Sequence, residues 1–248
     1  MQSSLFPVKA VSLDPSNLGT ADCEFIGKGD DGIEYAIKTV LRNPAAPAAE
    51  WICYWVASVC GIATPVCNII TMPDGTKAFG SRWEGGVTSD QQIIHQIISG
   101  GISTPLLAGR LSAIYALDLF VWNLDRHANN YLFQKAHRDY RVLAFDFSRC
   151  WTVNPWPLPL GPLPFNCNTA MTYSAIRVTQ PFDLAIALDT LHKIDSIPAN
   201  KFTTMISEIP LLWLSKEQKA KIVKWWTSGE RKSRVDYISK GLGNGTLL

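Results

Sequence analysis

The apolar pattern of this 248-residue chain changes from a strand-like to a helical period at the glycine pair Gly85-Gly86. Before this pair, residues 23–39 predict a β-hairpin, because bulky apolar side chains occupy every second position of Ile33–Ile37. Residues 66–83 predict a second hairpin around the turn-forming Pro73-Asp74-Gly75. The order of patterns therefore indicates an α+β protein with a strand-rich first part and a helical second part.

Most other segments have a helical pattern. A helix is predicted over about residues 47–60, between the hairpins, and another over residues 109–123. Residues 141–147, RVLAFDF, predict a short strand that includes Asp146 near its end. The proline-rich residues 154–164 predict an extended surface loop, since proline lacks a backbone donor and fixes φ. About three packed helices are expected over residues 182–241.

Composition restricts the function classes. An apolar content of 47% is enough for a substantial core, and a net charge of +2 argues against direct nucleic-acid binding. We find no signal peptide and no run of about 18 apolar residues, so we expect a cytoplasmic protein with no membrane partner. The six cysteines form no CxxC pair and are expected to be reduced. Cys53, Cys60 and Cys67 recur every seven residues, but the segment GIATP would interrupt a helix and argues against a zinc site.

The strongest functional signal is a polar loop, Asn123–Asn130, between an apolar helix and the apolar run Tyr131–Phe133. Asp125 precedes Asn130 by five residues, and Asp146 follows sixteen residues later in an apolar context where an unpaired charge would be costly. Kinases place a base and two magnesium ligands at this kind of spacing. Singly, Asp and Asn are also common turn and cap residues, and it is their joint pattern that favours phosphoryl transfer.

Two upstream residues fit the same chemistry. Lys38 ends an Ala-Ile-Lys run on the second strand of the first hairpin, and Glu50 lies at the start of the following helix. In kinases a strand lysine binds the nucleotide phosphates and pairs with a helical glutamate. Singly, however, such a lysine is more often a surface strand residue, and such a glutamate a favourable first-turn acid.

These segments together resemble the HipA-like kinases, a branch of the protein-kinase-like fold. The resemblance rests on GKGDDGIEYAIKT, NPAAPAAEWICYWVASVCGIATP, LDLFVWNLDRHANNYLF and LAFDFSRCW, which occur in family order between about residues 20 and 151. It implies a two-lobed fold, with a nucleotide-binding N-lobe over residues 1–86 and a C-lobe over residues 87–248 that carries the catalytic loop, metal site and helical tail. It also implies ATP and Mg²⁺ as cofactors.

The resemblance further implies residue roles. Asp125 would be the general base, Asn130 and Asp146 the magnesium ligands, and Lys38 the phosphate-binding lysine paired with Glu50. Asp118 would orient the loop from the preceding helix. Arg126 and His127 would either steady the loop or contact phosphate, and His127 is counted with the cofactor-binding residues.

The implied activity is transfer of the γ-phosphoryl group of ATP to a Ser or Thr hydroxyl of a protein, as in toxin-type kinases that pair with an antitoxin or another regulatory partner. A small-molecule or lipid kinase of the same fold and a catalytically silent binding module that recruits a partner through the proline segment remain alternatives. Two features depart from the family. Only about 20 residues precede the first hairpin, and Asp146-Phe147-Ser148 replaces the Asp-Phe-Gly of ordinary protein kinases.

Overall fold

The structure is a computed structural model that describes residues 8–16, 22–88, 90–102, 104, 106–136, 139–150 and 158–248. Its first part contains a closed barrel of five strands in the order β1-β2-β3-β5-β4. The elements of this part are β1 (Val8–Pro15), β2 (Phe25–Gly29), β3 (Glu34–Lys38), α1 (Ala46–Cys60), β4 (Cys67–Thr71) and β5 (Lys77–Arg82). Both predicted hairpins and the predicted helix between them are confirmed.

Strand β1 was not predicted, yet it closes the barrel. It runs antiparallel to β2 and parallel to β4, where Val8 lies opposite Ile70. Only Val8 among its residues is buried, so the strand has no strong period-two pattern that sequence reasoning could have detected. Residues 8–15, ahead of the first hairpin, are therefore part of the fold.

The barrel interior is small and filled by a few apolar side chains, which are Val8, Tyr35, Ile37, Ile70, Met72 and Ala78. Glycines on β2 leave room for them. A Cβ atom on Gly27 would lie 2.7 Å from Cδ1 of Ile37, and one on Gly29 would lie 2.6 Å from Cγ1 of Val8. These glycines are thus explained by the tight packing inside the barrel.

Helix α1 is buried along most of its length because elements of both parts of the chain pack against it. It packs against β5 and against α5 (Leu184–Asp195). Pro47 lies in its first turn, and Gly61 ends it in the left-handed conformation with φ 78°. A helix at this position can present side chains to both parts of the molecule.

The second part begins with a small sheet and two helices. In chain order these are β6 (Val87–Thr88), α2 (Gln91–Ile98), α3 (Leu107–Val121), a 3₁₀ turn (Ala128–Asn130), β7 (Tyr131–Ala136) and β8 (Asp139–Ala144). Strands β6, β7 and β8 form an antiparallel sheet in that order. The predicted strand over RVLAFDF was too long, since β8 ends at Ala144 and Asp146 takes a left-handed conformation instead.

The chain ends in a group of helices, α4 (Asn168–Arg177), α5 (Leu184–Asp195), α6 (Ala199–Glu208), α7 (Lys216–Thr227) and α8 (Gly229–Gly243). Four of them lie within the segment for which about three were expected. Helices α7 and α8 follow each other directly, because Ser228 both ends α7 and caps α8 through its side chain. Trp226 is buried and stacks on Phe202 at 3.7 Å between ring centres, so it packs α7 against α6.

The proline segment agrees with its prediction in part. Residues 154–157 lie outside the described residues, and residues 158–164 form neither helix nor strand, as expected. Leu160 is 62% exposed, which agrees with the expected surface loop, but Leu158 and Leu163 are buried. Its apolar residues between the prolines supply core contacts that the proline pattern obscured.

The helices of the described residues are too short or too polar to cross a lipid bilayer. In the described part of the chain, none combines the length and the apolar content needed to span one.

Candidate functional site

Four polar side chains from three separate segments meet where the barrel contacts the second part. Lys38 ends β3, Glu50 lies on α1, and Asp146 and Ser148 follow β8. The Lys38 ammonium Nζ donates to Glu50 Oε1 at 2.5 Å, to Asp146 Oδ1 at 2.8 Å and to Ser148 Oγ at 2.7 Å. The structure therefore brings together three of the predicted site residues and adds a fourth.

Ser148 is the residue that sequence reasoning missed. Its hydroxyl oxygen lies 2.9 Å from Glu50 Oε1 and 2.9 Å from Asp146 Oδ1, and the residue is 1% exposed. The available signal was its place two residues after Asp146, where ordinary kinases have glycine. A hydroxyl in that place can bond to the neighbouring carboxylate, so the departure from glycine is itself a signal.

Asp146 has a backbone conformation that few non-glycine residues adopt. Its φ is 59°, in the left-handed region, which aspartate tolerates better than most residues because its side chain bonds locally. Here Oδ1 accepts the Ser148 hydroxyl and, at 3.4 Å, its backbone N–H. The turn directs the carboxylate of Asp146 toward Lys38.

Electrostatics favours the charged forms of Lys38 and Asp146. Burial by itself would lower the pKa of Lys38, but the carboxylates of Asp146 and Glu50 outweigh it and raise that pKa above its ordinary value. Burial would raise the pKa of Asp146, but Lys38 and Ser148 outweigh it and hold the pKa well below the usual range. Burial raises the pKa of Glu50, with Lys38 opposing the shift.

A second buried ion pair supports the polar loop. Asp118 on α3 is fully buried and accepts bonds from Arg126 Nε and Nη2, both at 2.9 Å, and from Asn123 Nδ2 at 2.7 Å. Arg126 Nη1 donates to the backbone carbonyls of Asn130, at 3.0 Å, and Phe145. Of the two possibilities considered for Arg126, these contacts favour steadying the loop, and Asp118 lies where it can orient that loop.

Asp125 and Asn130 lie within this supported loop. Asn130 Nδ2 donates to the backbone carbonyl of Asp125 at 2.9 Å, and Asn168 Nδ2 donates to Asp125 Oδ1 at 2.5 Å. Asp125 is partly exposed and Asn130 is buried. His127 is partly exposed, and its carbonyl accepts the Asn130 N–H at 2.8 Å, but its imidazole makes no hydrogen bond or ion pair with the described residues. Its predicted contact with phosphate stays a prediction.

Backbone hydrogen bonds hold the polar loop next to the segment that carries Asp146. Tyr131, which follows Asn130, pairs with Ala144, and the Phe145 N–H donates to the Asn130 carbonyl at 3.4 Å. The Arg126 guanidinium also lies 4.6 Å from the ring centre of Phe147. Asn130 and Asp146 are thus held at the same end of the β7–β8 hairpin.

Comparison with solved structures identifies the fold. The structure of CtkA, a proinflammatory kinase of Helicobacter pylori, aligns with a TM-score of 0.64 and 16% sequence identity, over 94% of this chain and 96% of that chain. This chain has a kinase-like fold. The kinase-like fold that the resemblance implied is therefore confirmed, and the division into two lobes at residue 86 stays a prediction.

A second match is the toxin–antitoxin complex of HipA, HipB and operator DNA from Shewanella oneidensis MR-1. It aligns with a TM-score of 0.46 and 11% identity, over 96% of this chain and 66% of that chain, and this is too weak to bear on the fold. No protein-family model and no curated protein matches the sequence.

The donor atoms of this kinase-like fold suit a magnesium ion bound together with phosphates. No group of three His, Cys, Asp or Glu side chains that could hold a metal occurs within the described ranges. Asp146 Oδ2 and Asn130 Oδ1, however, receive no hydrogen bond from any described residue. Mg²⁺ prefers oxygen ligands and commonly combines one or two protein groups with substrate phosphates and water, so these atoms fit it.

Proposed function

We propose that this chain is an ATP- and Mg²⁺-dependent kinase that phosphorylates a Ser or Thr hydroxyl of a protein. In this proposal residues 1–86 form a nucleotide-binding lobe, residues 87–248 form a catalytic lobe, and ATP binds between them. The observation that carries the proposal is the buried contact of Lys38 with Glu50 and Asp146, which joins the barrel, α1 and the turn after β8. Phosphoryl transfer depends mainly on positioning and charge, and this contact supplies both.

Each residue has a role that its contacts support. Lys38 binds the nucleotide phosphates, and Glu50 holds its ammonium in place through a 2.5 Å bond. Asn130 and Asp146 hold Mg²⁺, which when bound neutralises charge on the phosphates. Arg126 and Asp118 keep the loop in one conformation by burying a bidentate ion pair beneath it.

Asp125 accepts the proton of the attacking hydroxyl. Asn168 binds its Oδ1, and Asn123 Oδ1 accepts its backbone N–H at 3.0 Å, so its carboxylate has a fixed orientation. Its Oδ2 receives no hydrogen bond within the described part of the chain and is available to a substrate hydroxyl. A general base needs this combination of fixed geometry and one accessible oxygen.

The test is transfer of radiolabel from γ-labelled ATP to proteins of a cell lysate whose own kinases have been inactivated. We expect labelled protein with the wild-type chain and a loss of at least about 100-fold in Asp125→Asn and in Lys38→Met. Asp189→Asn, which changes an exposed carboxylate in a surface ion pair, should label as the wild type does. Undiminished labelling by Asp125→Asn would exclude its role as the base.

The acceptor class can be read from the same reaction. Labelled protein supports a protein kinase. ATP consumption that depends on Asp125 but leaves all proteins unlabelled would instead indicate a small-molecule or lipid acceptor.

A further inference from the structure

The hydroxyl of Ser148 lies at the centre of the Lys38 cluster. It accepts a bond from Lys38 Nζ at 2.7 Å and lies 2.9 Å from one oxygen each of Glu50 and Asp146. At 1% exposure, it is shielded from bulk solvent. Such a hydroxyl contributes directly to the geometry of the charged groups around it.

Every N–H group of the Lys38 ammonium has an acceptor within the cluster. An ammonium has three N–H donors, and those of Lys38 meet Glu50, Asp146 and Ser148. Ser148 has one proton to donate, to a carboxylate oxygen of either Glu50 or Asp146. Asp146 Oδ1 lies within hydrogen-bond distance of Lys38 Nζ and of both the hydroxyl and the backbone N–H of Ser148, whereas its Oδ2 receives no bond from the described residues.

We propose that Ser148 is a positioning residue that fixes the Asp146 carboxylate, so that its second oxygen is presented to the magnesium ion. This inference rests on the proposed function. The left-handed backbone of Asp146 makes such support necessary, because a non-glycine residue with φ 59° persists only where neighbouring contacts hold it. Lys38 alone cannot supply this support, since its ammonium also binds Glu50 and would give up one of its three present bonds to bind phosphate.

The matched control is a second buried serine. Ser112 on α3 is also 1% exposed, donates to the Ala108 carbonyl at 2.8 Å and accepts the Asp183 N–H at 2.9 Å. It bonds to none of the four members of the Lys38 cluster. Ser112→Ala thus removes an equally buried hydroxyl that has only a structural role.

The experiment measures the Mg²⁺ concentration that gives half-maximal thermal stabilisation by a non-hydrolysable ATP analogue, with phosphotransfer as a second readout. Ser148→Ala should raise this concentration about tenfold, the factor that corresponds to one lost hydrogen bond to a charged group. Ser148→Thr, which keeps the hydroxyl, should stay within about twofold of wild type. Ser112→Ala should leave the Mg²⁺ requirement unchanged.

An unchanged Mg²⁺ requirement in a folded Ser148→Ala variant would overturn the inference. So would a stably folded Ser148→Thr that behaves like the Ala variant. If both Ser148→Ala and Ser148→Gly fail to fold, the hydroxyl serves the fold and the inference is also wrong. A wild-type chain that neither binds the analogue with Mg²⁺ nor transfers phosphate would instead refute the proposed function, which separates the two failures.

Discussion

Replacing Arg126 with methionine should destabilise the chain severely, although the new side chain is apolar and of similar length. Arg126 is 1% exposed and forms two 2.9 Å bonds to the fully buried carboxylate of Asp118. Methionine would leave that carboxylate with Asn123 as its remaining side-chain donor. A buried charge without its ionic partner is among the costliest defects that a single substitution can create.

The expected cost is about 3–5 kcal/mol, the range for removing one partner of a buried ion pair. Arg126 also donates to the carbonyls of Asn130 and Phe145, which places the value at the upper end. For a chain of this size, each kcal/mol corresponds to about 2–4 °C in Tm, so the midpoint should fall by about 6–20 °C. The variant should remain foldable at low temperature because total stabilities are typically about 5–15 kcal/mol.

Urea denaturation followed by tryptophan fluorescence would measure this cost. Lys193→Met is the matched control, since its ion pair with Asp189 spans 2.7 Å but both side chains are about half exposed, and it should cost at most about 1 kcal/mol. The double variant Asp118→Leu/Arg126→Met removes both charges and should recover part of the loss. The reasoning is wrong if Arg126→Met costs no more than the control, or if the double variant is the least stable.

Two further predictions concern the cluster and the barrel. Because the pKa of Asp146 is lowered in the folded chain, its pair with Lys38 stabilises fully above about pH 5 and progressively less as pH falls toward the folded pKa. The difference in unfolding free energy between wild type and Asp146→Asn should therefore shrink below about pH 4, and a difference independent of pH would contradict the assignment. Gly27→Ala should cost about 1–3 kcal/mol, since the added Cβ would lie 2.7 Å from Ile37 Cδ1. Gly85→Ala, with nothing within 4 Å of its Cβ, should be near neutral in the same denaturation assay.

The hairpins and helix of the first part were predictable because their signals are local. Alternating apolar residues, the Pro73-Asp74-Gly75 turn and Gly61 after a helical stripe each act over a few positions. Strand β1 was missed for the opposite reason. Its pairing with β4 joins residues about sixty positions apart, and a mostly exposed strand with polar residues carries little pattern of its own.

In the candidate site, too, residues with a local sequence signal were predictable and residues defined by long-range contacts were not. Lys38, Glu50 and Asp146 were found because their spacing follows a kinase pattern, and the structure brings them into contact. Ser148 and Asn168 were not found, since each gains its meaning from a partner brought near by tertiary folding: Ser148 lies 110 residues from Lys38 in sequence, and Asn168 lies 43 from Asp125. A buried hydroxyl or amide has no periodic signature, and single-sequence reasoning can only flag it once its neighbours are known.

The barrel also determines which side of β3 carries the chemistry. Successive side chains on a strand point to opposite faces, so Tyr35 and Ile37 fill the barrel while Lys38 lies on the other face, toward Glu50 on α1. Register fixes this arrangement, because Ile37 pairs with Phe25 on β2 and with Gly80 on β5. A slip of one residue would turn the ammonium into the apolar interior and the isoleucine toward the buried glutamate, and both exchanges are costly. The packing that stabilises the barrel is therefore also what holds the lysine in the site.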